Sequence, residues 1–202
     1  MNSNDQNLEW RLCESYFSIL ETNVQSEVSL DTLCKVSKIS IEKVKNLVPN
    51  DSINQRIFFL KILISKLDRE VLSELETDIK DDTVSSSYDK LLEGLSLRFD
   101  KYLQYKQSLK NLSKNSKQKF EIFLNVFKEN QIFSSDLLTL IEKEQNCGIK
   151  ILKSVALNIV FTKGLEIFLK DENQNIDAVI RNLDKNLSDM KDVGLFMGII
   201  KK

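Results

Sequence analysis

The sequence predicts an all-α protein, and three observations lead to that fold class. The 202 residues include 1 proline and 5 glycines, too few for the many tight turns that a sheet-rich fold requires. Hydrophobic residues make up 42% of the chain, which is enough for a substantial core. Along most of the chain these residues recur every three or four positions, the spacing of a helix with one buried face.

The first fifty residues predict three helices. The first runs from Gln6 to Glu21 on an apolar stripe of helical spacing. Ser29 is a good N-cap for a second helix that continues to Ser37, and Ser40 for a third that continues to Val48. Pro49 ends the third helix, because the residue before a proline disfavours helical geometry. Two short capped helices in succession are typical of a helix-turn-helix.

The remaining residues predict longer helices. Ser52 and Gln55 form a capping box at the start of a helix that continues to Asp78. The polar segment 80–87 that follows is the clearest linker. Beyond it the periodicity predicts helices at 88–112 with a bend near 102–106, at 117–129, from Ser134 or Ser135 to 143, at 149–169 and at 176–191.

The residue types present argue against an enzyme. The sequence has no histidine, which removes the commonest metal ligand and the commonest general base at neutral pH. Its three cysteines are far apart and give neither a disulfide framework nor a zinc-binding spacing. No glycine-rich phosphate loop or nucleophile–base pair is recognisable. We therefore expect a protein without catalytic activity, metal or cofactor.

Charge and hydropathy bear on location and partners. Residues 1–7 are polar and contain no secretory signal, and the longest nearly uncharged apolar run, 154–162, is far too short to span a membrane. We expect a cytoplasmic protein with no stable membrane insertion. The net charge of −1 gives no global attraction to nucleic acid, so DNA binding would require a local basic patch.

Residues 29–51 resemble the helix-turn-helix of TetR-family regulators, whose pattern is approximately S/T-L/V-x-x-I-A-x-x-A-G-V-S-x-x-x-L/I-Y-x-x-F-x-x-K. Ser29-Leu30 matches its start, Leu33-Cys34 stands at the buried Ile-Ala pair and Ile39-Ser40 at Val-Ser. The chain departs from the pattern at four places. It has Ser37-Lys38 where the pattern has Ala-Gly, Lys45 where it has Tyr, Val48 where it has Phe and Asp51 where it has Lys.

The second half of the chain is similar to one TetR subgroup. Residues 88–105 (YDKLLEGLSLRFDKYLQY) resemble its "LFD-LLM-RFD-L-P-YR" stretch, and residues 168–187 resemble its "WL-D(D/E)…TMA-LD--L" ending. The resemblance implies a TetR-like fold: a three-helix helix-turn-helix domain at residues 1–50 and a helical ligand-binding and dimerisation domain at residues 51–202.

A candidate DNA-binding surface lies between residues 29 and 49. Four lysines against two acidic residues give this segment a net charge of +2. A helix-turn-helix presents the start of its second helix to base edges and other side chains to phosphates. The candidate contacts to double-stranded DNA are Ser29, Lys35, Lys38, Ser40, Ile41, Glu42, Lys43, Lys45 and Asn46. The alternative is that these lysines only solvate a helix surface.

Two further candidate sites fall in the second domain. Phenylalanines between splayed helices can line a pocket for an apolar small molecule, although such a stripe is often simply core. The candidates are Phe99, Phe120, Phe123, Phe127 and Phe161. TetR-like proteins pair through their last two helices, which implies a homodimer here; a helix buried centrally in a monomer would have the same pattern. The candidate interface residues are Ile151, Val155, Ile159, Ile180, Leu183 and Leu187.

Taken together, the sequence favours a homodimeric DNA-binding transcriptional regulator controlled by an apolar ligand, with the long helix 52–78 as the lever between the domains. An alternative is a lipid- or isoprenoid-binding accessory protein on a TetR-like fold that does not bind DNA. The departures at Lys38, Lys45 and Asp51 and the apolar tail 193–202 favour that alternative. A dimeric helical scaffold without a ligand is a third possibility.

Overall fold

The computed structural model describes residues 3–22, 28–114, 119–142, 147–173 and 175–196. Within these ranges the chain forms nine α-helices and no strand, which confirms the predicted all-α fold class. None of the helices described combines the length and apolarity needed to cross a membrane. Residues 197–202, which make up much of the apolar tail, lie outside the described residues.

The helices follow one another along the chain with short connections. They are α1 (Ser3–Thr22), α2 (Leu30–Ser37), α3 (Ile41–Leu47), α4 (Ser52–Asp81), α5 (Ser87–Leu103), α6 (Lys106–Ser113), α7 (Lys119–Ile141), α8 (Cys147–Lys170) and α9 (Asp177–Phe196).

The chain divides into two compact units. Unit 1 comprises residues 1–66 and 104–126, and unit 2 comprises residues 67–103 and 127–202. The expected boundary at residues 50/51 therefore differs from the division observed. The reason lies in α4, whose apolar stripe continues without a break, so that its first half contributes to the core of unit 1 and its second half to that of unit 2.

Two helices that the sequence predicts separately in the second half of the chain form a single helix in the structure. The sequence indicated separate helices at 117–129 and from Ser134 or Ser135 to 143, but α7 is continuous through both. Ser134, which was expected to begin a new helix, is instead buried within α7, one helical turn from the buried Asn130. By contrast, the predicted bend near 102–106 is confirmed as the interruption between α5 and α6.

Helix α1 supplies the centre of unit 1. The Tyr16 ring stacks on that of Phe59 of α4 at 4.3 Å between centroids, and the Cys13 thiol donates to the Phe59 carbonyl at 3.4 Å. Burial raises the pKa of Cys13, so the thiol stays protonated. Helix α6 packs on the second half of α1, where Ser108 Oγ donates to the Phe17 carbonyl at 2.7 Å. Ring stacking thus joins α1 to α4, and the Ser108 hydrogen bond joins α6 to α1.

A buried ion pair lies at the centre of unit 2. Arg98 Nε and Nη2 of α5 donate to the two carboxylate oxygens of Asp68 of α4, at 2.6 and 2.8 Å. Arg98 is 0% exposed. Its guanidinium carbon lies 4.2 Å from the ring centroids of both Phe133 of α7 and Phe161 of α8. One side chain thus contacts residues of three other helices.

Two glycines allow the helices around this pair to approach closely. A Cβ added to Gly164 of α8 would lie 3.1 Å from the Phe99 ring of α5. A Cβ added to Gly94 of α5 would lie 2.7 Å from Leu137 Cδ1 of α7. Neither position has room for a side chain without movement of its neighbour, so glycine sets the spacing of these helices.

The buried pair yields a stability prediction. Replacement of Arg98 by Met leaves the Asp68 carboxylate buried without its partner, and we expect a loss of about 3–5 kcal/mol in the free energy of unfolding. In the double variant Asp68→Leu/Arg98→Met neither charge remains, so the loss should be clearly smaller than that of the single variant. Urea denaturation followed by circular dichroism measures both.

The control is Lys101→Met, which removes the exposed ion pair of Lys101 with Glu74 at 2.7 Å. We expect that change to cost about 1 kcal/mol or less. An Arg98→Met protein as stable as this control would show that the buried pair is not needed to hold unit 2 together.

Candidate nucleic-acid interface, helical face and cavity

Helices α2 and α3 form a short helical pair in unit 1. Ser29 is the N-cap of α2, and its side chain accepts a hydrogen bond from Thr32 N at 3.1 Å. Lys38 ends α2 in the left-handed conformation, with φ 56° and ψ 35°. Ser40 then precedes α3 with extended backbone but makes no capping hydrogen bond through its side chain. The connection between the two helices is therefore only three residues long.

The inner side of this pair is apolar. Leu33 of α2 and Val44 of α3 are both 0% exposed, and Ile39 in the turn and Val48 after α3 are buried as well. Helix α2 packs on α1, where Arg11 Nη2 donates to the Ser37 carbonyl at 3.3 Å. Because these four apolar residues are buried, the orientation of the outer side of the pair is fixed, and that outer side also carries Val36 of α2 at 46% exposure.

The outer side carries the residues predicted to contact DNA. Lys35, Lys38, Lys43 and Lys45 are exposed, as are Ser29, Ser40, Glu42 and Asn46, whereas Ile41 is half-buried. Ser29 differs from the rest, because its hydroxyl lies 2.8 Å from Thr32 Oγ1 and already caps α2. The remaining exposed side chains are accessible to a partner.

Helix α8 has two distinct sides. The inner side packs in unit 2 and includes polar residues, and the outer side carries an exposed apolar stripe. On the inner side, Ser154 Oγ accepts from Gln131 Nε2 at 2.6 Å and Asn158 Nδ2 donates to the Phe127 carbonyl at 2.9 Å, both on α7. On the outer side lie large apolar side chains, spaced as one helical stripe. They are Ile151 (59% exposed), Leu152 (50%), Val155 (36%) and Ile159 (48%).

The predicted interface residues on α9 lie elsewhere. Leu183 and Leu187 are 0% and 1% exposed, and Ile180 is half-buried. Helix α9 turns this stripe toward the interior of unit 2, where it packs on α5 and α8. Leu183 and Leu187 are therefore core residues, and of the six candidates only Ile151, Val155 and Ile159 present their side chains to solvent.

The five phenylalanines predicted to line a pocket lie in different environments. Phe99 and Phe161 stack at 4.6 Å between centroids and are fully buried beside Arg98. Phe120 and Phe123 are 71% and 47% exposed, and Phe127 is half-buried. Phe99 and Phe161 are therefore core residues, because their rings stack on each other and the Phe161 ring also lies 4.2 Å from the Arg98 guanidinium carbon.

A cavity of about 460 Å³ lies at another place in unit 2. It is partly open to solvent and is bordered by the start of α5, the end of α7, the first half of α8 and the end of α9. Its apolar wall consists of Leu91, Leu138, Leu152, Ala156, Leu187 and Met190. Sequence reasoning missed this cavity, since its wall is assembled from single residues of four distant helix segments.

Charged and polar side chains surround the apolar wall. Lys153 Nζ of α8 lies 2.7 Å from Glu142 Oε2 of α7. The Tyr88 hydroxyl donates to Asp184 of α9, 2.7 Å from Oδ1 and 2.8 Å from the carbonyl oxygen. Partial burial and this hydrogen bond raise the pKa of Tyr88 to about 12, so the phenol remains a donor at neutral pH. Lys191 Nζ lies 5.8 Å from the centroid of the Tyr88 ring.

No protein-family model matches this sequence, and no curated protein matches it either. In the part of the chain that the structure describes, no three metal-ligating side chains come together.

The turn between α2 and α3 yields a second stability prediction. Lys38 occupies the left-handed region, which costs a non-glycine residue about 1 kcal/mol. We expect Lys38→Gly to stabilise the protein by about 0.5–1 kcal/mol, measured by urea unfolding. Lys35→Gly is the matched control in the exposed interior of α2, where glycine should destabilise by about 1 kcal/mol. Equal losses in both variants would contradict the assigned backbone conformation.

Proposed function

We propose that this chain is a homodimeric DNA-binding transcriptional regulator on a TetR-like fold, with α2 and α3 as its helix-turn-helix. One observation carries the proposal. The pair buries Leu33 and Val44, closes through a left-handed residue in a three-residue turn, and exposes all four of its lysines on the opposite side. That is the combination of a tight turn and an outward basic surface that DNA recognition by such a motif requires.

In the proposed docking, α3 enters the major groove. Ser40, Glu42 and Lys43 at its start then approach base edges, together with the half-buried Ile41. Lys35, Lys38, Lys45 and Asn46 approach phosphates. The ammonium group of Lys45 can contact a phosphate, so the departure from the TetR pattern at this position is compatible with binding.

The small positive charge of the proposed DNA-binding surface favours binding by two copies of the chain. The segment has a net charge of +2 in a chain whose net charge is −1, so one protomer offers few phosphate contacts. Affinity at physiological salt grows with the number of phosphates neutralised, and a dimer doubles that number. The outer stripe of α8 supports a dimer, because four neighbouring large apolar side chains are 36–59% exposed there and a second copy would cover them.

Control by a small molecule is part of the proposal. The cavity of unit 2 has the volume and apolar wall of a ligand site, in place of the phenylalanine pocket first expected. Helix α4 is one continuous helix that contributes residues to both units, so it is the element through which a ligand would bias the DNA-binding segment.

The DNA-binding surface is tested by charge reversal. We expect the purified protein to bind DNA from upstream of its own gene selectively, with affinity that falls steeply as salt rises. Lys43→Glu/Lys45→Glu should weaken this binding by about 100-fold or more, because each dimer loses four positive charges and gains four negative ones. Fluorescence anisotropy against scrambled competitor DNA measures both.

The matched control is Lys80→Glu/Lys128→Glu, which makes the same charge change at exposed lysines of α4 and α7 outside the proposed surface. Affinity lost equally in both variants would indicate a nonspecific charge effect. A wild-type protein without selectivity at low salt, over several upstream fragments, would overturn the regulator and favour the lipid- or isoprenoid-binding accessory protein.

The α8 stripe is tested by a single buried charge. In the proposed dimer Ile159→Asp places a carboxylate in an apolar interface twice, once from each copy, and should weaken association by at least about tenfold. Sedimentation equilibrium over a concentration series measures it. Val84→Asp is the control, because Val84 is 94% exposed in the connection before α5. A monomeric wild type, or equal behaviour of the two variants, would exclude this interface.

A further inference from the structure

The cavity of unit 2 combines an apolar depth with a charged rim. At about 460 Å³ it falls within the usual range of small-molecule sites, roughly 300–1,000 Å³. Leucines from α5, α7, α8 and α9 form its wall, so the part of a ligand that lies inside must be hydrocarbon. Polar and charged groups also lie among the lining residues, and they determine which ligand head group the cavity favours.

The carboxylates around the cavity are already engaged. Glu142 pairs with Lys153, and Asp184 accepts from the Tyr88 hydroxyl. Asp89, near Lys191, accepts from Ser86 through both its backbone N–H at 3.0 Å and its hydroxyl at 2.6 Å. The pKa of Asp89 is lowered mainly by these two hydrogen bonds, so it is ionised at neutral pH. None of these three groups needs a cationic ligand as its partner.

The lysines of the rim differ from each other. Lys153 lies in a half-buried ion pair with Glu142. Lys191 is exposed, and its Nζ lies over the Tyr88 ring at 5.8 Å from the centroid, with Asp89 near it. An ammonium held over an aromatic ring keeps its capacity to donate to an anion. Among the residues that line the cavity, two lysines stand against the single carboxylate of Glu142, which pairs with Lys153. Lys191, with Asp89 near it outside the lining, is therefore the lysine placed to meet an anionic group in the cavity.

From this arrangement we propose that the cavity binds a free medium-chain carboxylic acid, with its hydrocarbon chain against the leucine wall and its carboxylate on Lys191. The inference rests on the proposed ligand control and names the chemistry of that ligand. The hydrocarbon supplies most of the affinity, at about fourfold per methylene until the cavity is full. The carboxylate supplies selectivity of about fivefold, the size expected for an exposed charge pair.

Isothermal titration calorimetry on the full chain without DNA tests the proposal. The probes are octanoate, decanoate and dodecanoate at submicellar concentration, with decanol and decylammonium for comparison. We expect affinity to rise with chain length and decanoate to bind more tightly than decylammonium. A flat length series, or decylammonium binding as tightly as decanoate, would overturn the proposal.

Two variants with matched controls locate the site. Ala156→Phe fills the cavity from α8 and should weaken decanoate binding at least tenfold, whereas Ala178→Phe makes the same change on α9 outside the lining. Lys191→Met should weaken decanoate about fivefold and leave decanol unchanged, and Lys185→Met on the same helix should change neither. Circular dichroism verifies that each variant is folded. Equal binding by Ala156→Phe and wild type would place decanoate elsewhere.

Two further outcomes can be distinguished by experiment: whether the acyl chain belongs to a free acid or to a membrane lipid, and whether the protein binds DNA. Flotation with phosphatidylglycerol vesicles should leave the protein in the vesicle-free fraction; flotation that Ala156→Phe abolishes would instead assign the cavity to a membrane lipid and overturn the free acid. Because calorimetry involves no DNA, a failure of the operator experiment overturns the regulator and leaves this result standing. Equally, a failure of the calorimetry overturns the carboxylic-acid ligand and leaves the DNA-binding result standing.

Discussion

The bidentate pair of Arg98 with Asp68 is the constraint around which unit 2 is arranged. A guanidinium that is 0% exposed is tolerated only where its charge is balanced and its faces are covered. Asp68 supplies the opposite charge, and the ring centroids of Phe133 and Phe161 each lie 4.2 Å from the guanidinium carbon. Each partner comes from a different helix, so α4, α5, α7 and α8 have little freedom to shift. Three of these helices, α5, α7 and α8, also line the cavity, together with α9.

The local pattern of the sequence was sufficient to predict the all-α class and the short helices α2 and α3. Their signals, an N-cap such as Ser29 and apolar residues at helical spacing, act within a few residues and do not depend on the rest of the fold. The burial of Arg98 could not be predicted in that way. An arginine between Leu97 and Phe99 looks like an ordinary polar position, and its partner lies 30 residues earlier in the chain.

The candidate sites also differ in whether local sequence signals could predict them. The outward side of α2 and α3 could be predicted because the opposite side is marked by Leu33 and Val44. The phenylalanines were expected to line a pocket because of their size, but stacking of Phe99 on Phe161 uses that size to fill the core. The cavity found instead depends on how far four helix ends stand apart, and no short segment of sequence encodes that distance.

Helix α8 connects the two proposals made for unit 2. Leu152 and Ala156 belong to the cavity wall, and Leu152 also lies in the outer apolar stripe at 50% exposure. A ligand in the cavity and a second copy on the stripe would therefore contact one side chain from two directions. Linkage then requires reciprocity: a ligand that tightens dimerisation by a given factor must itself bind the dimer more tightly by that factor. The proposed regulation through this cavity would then extend to assembly as well as to DNA binding.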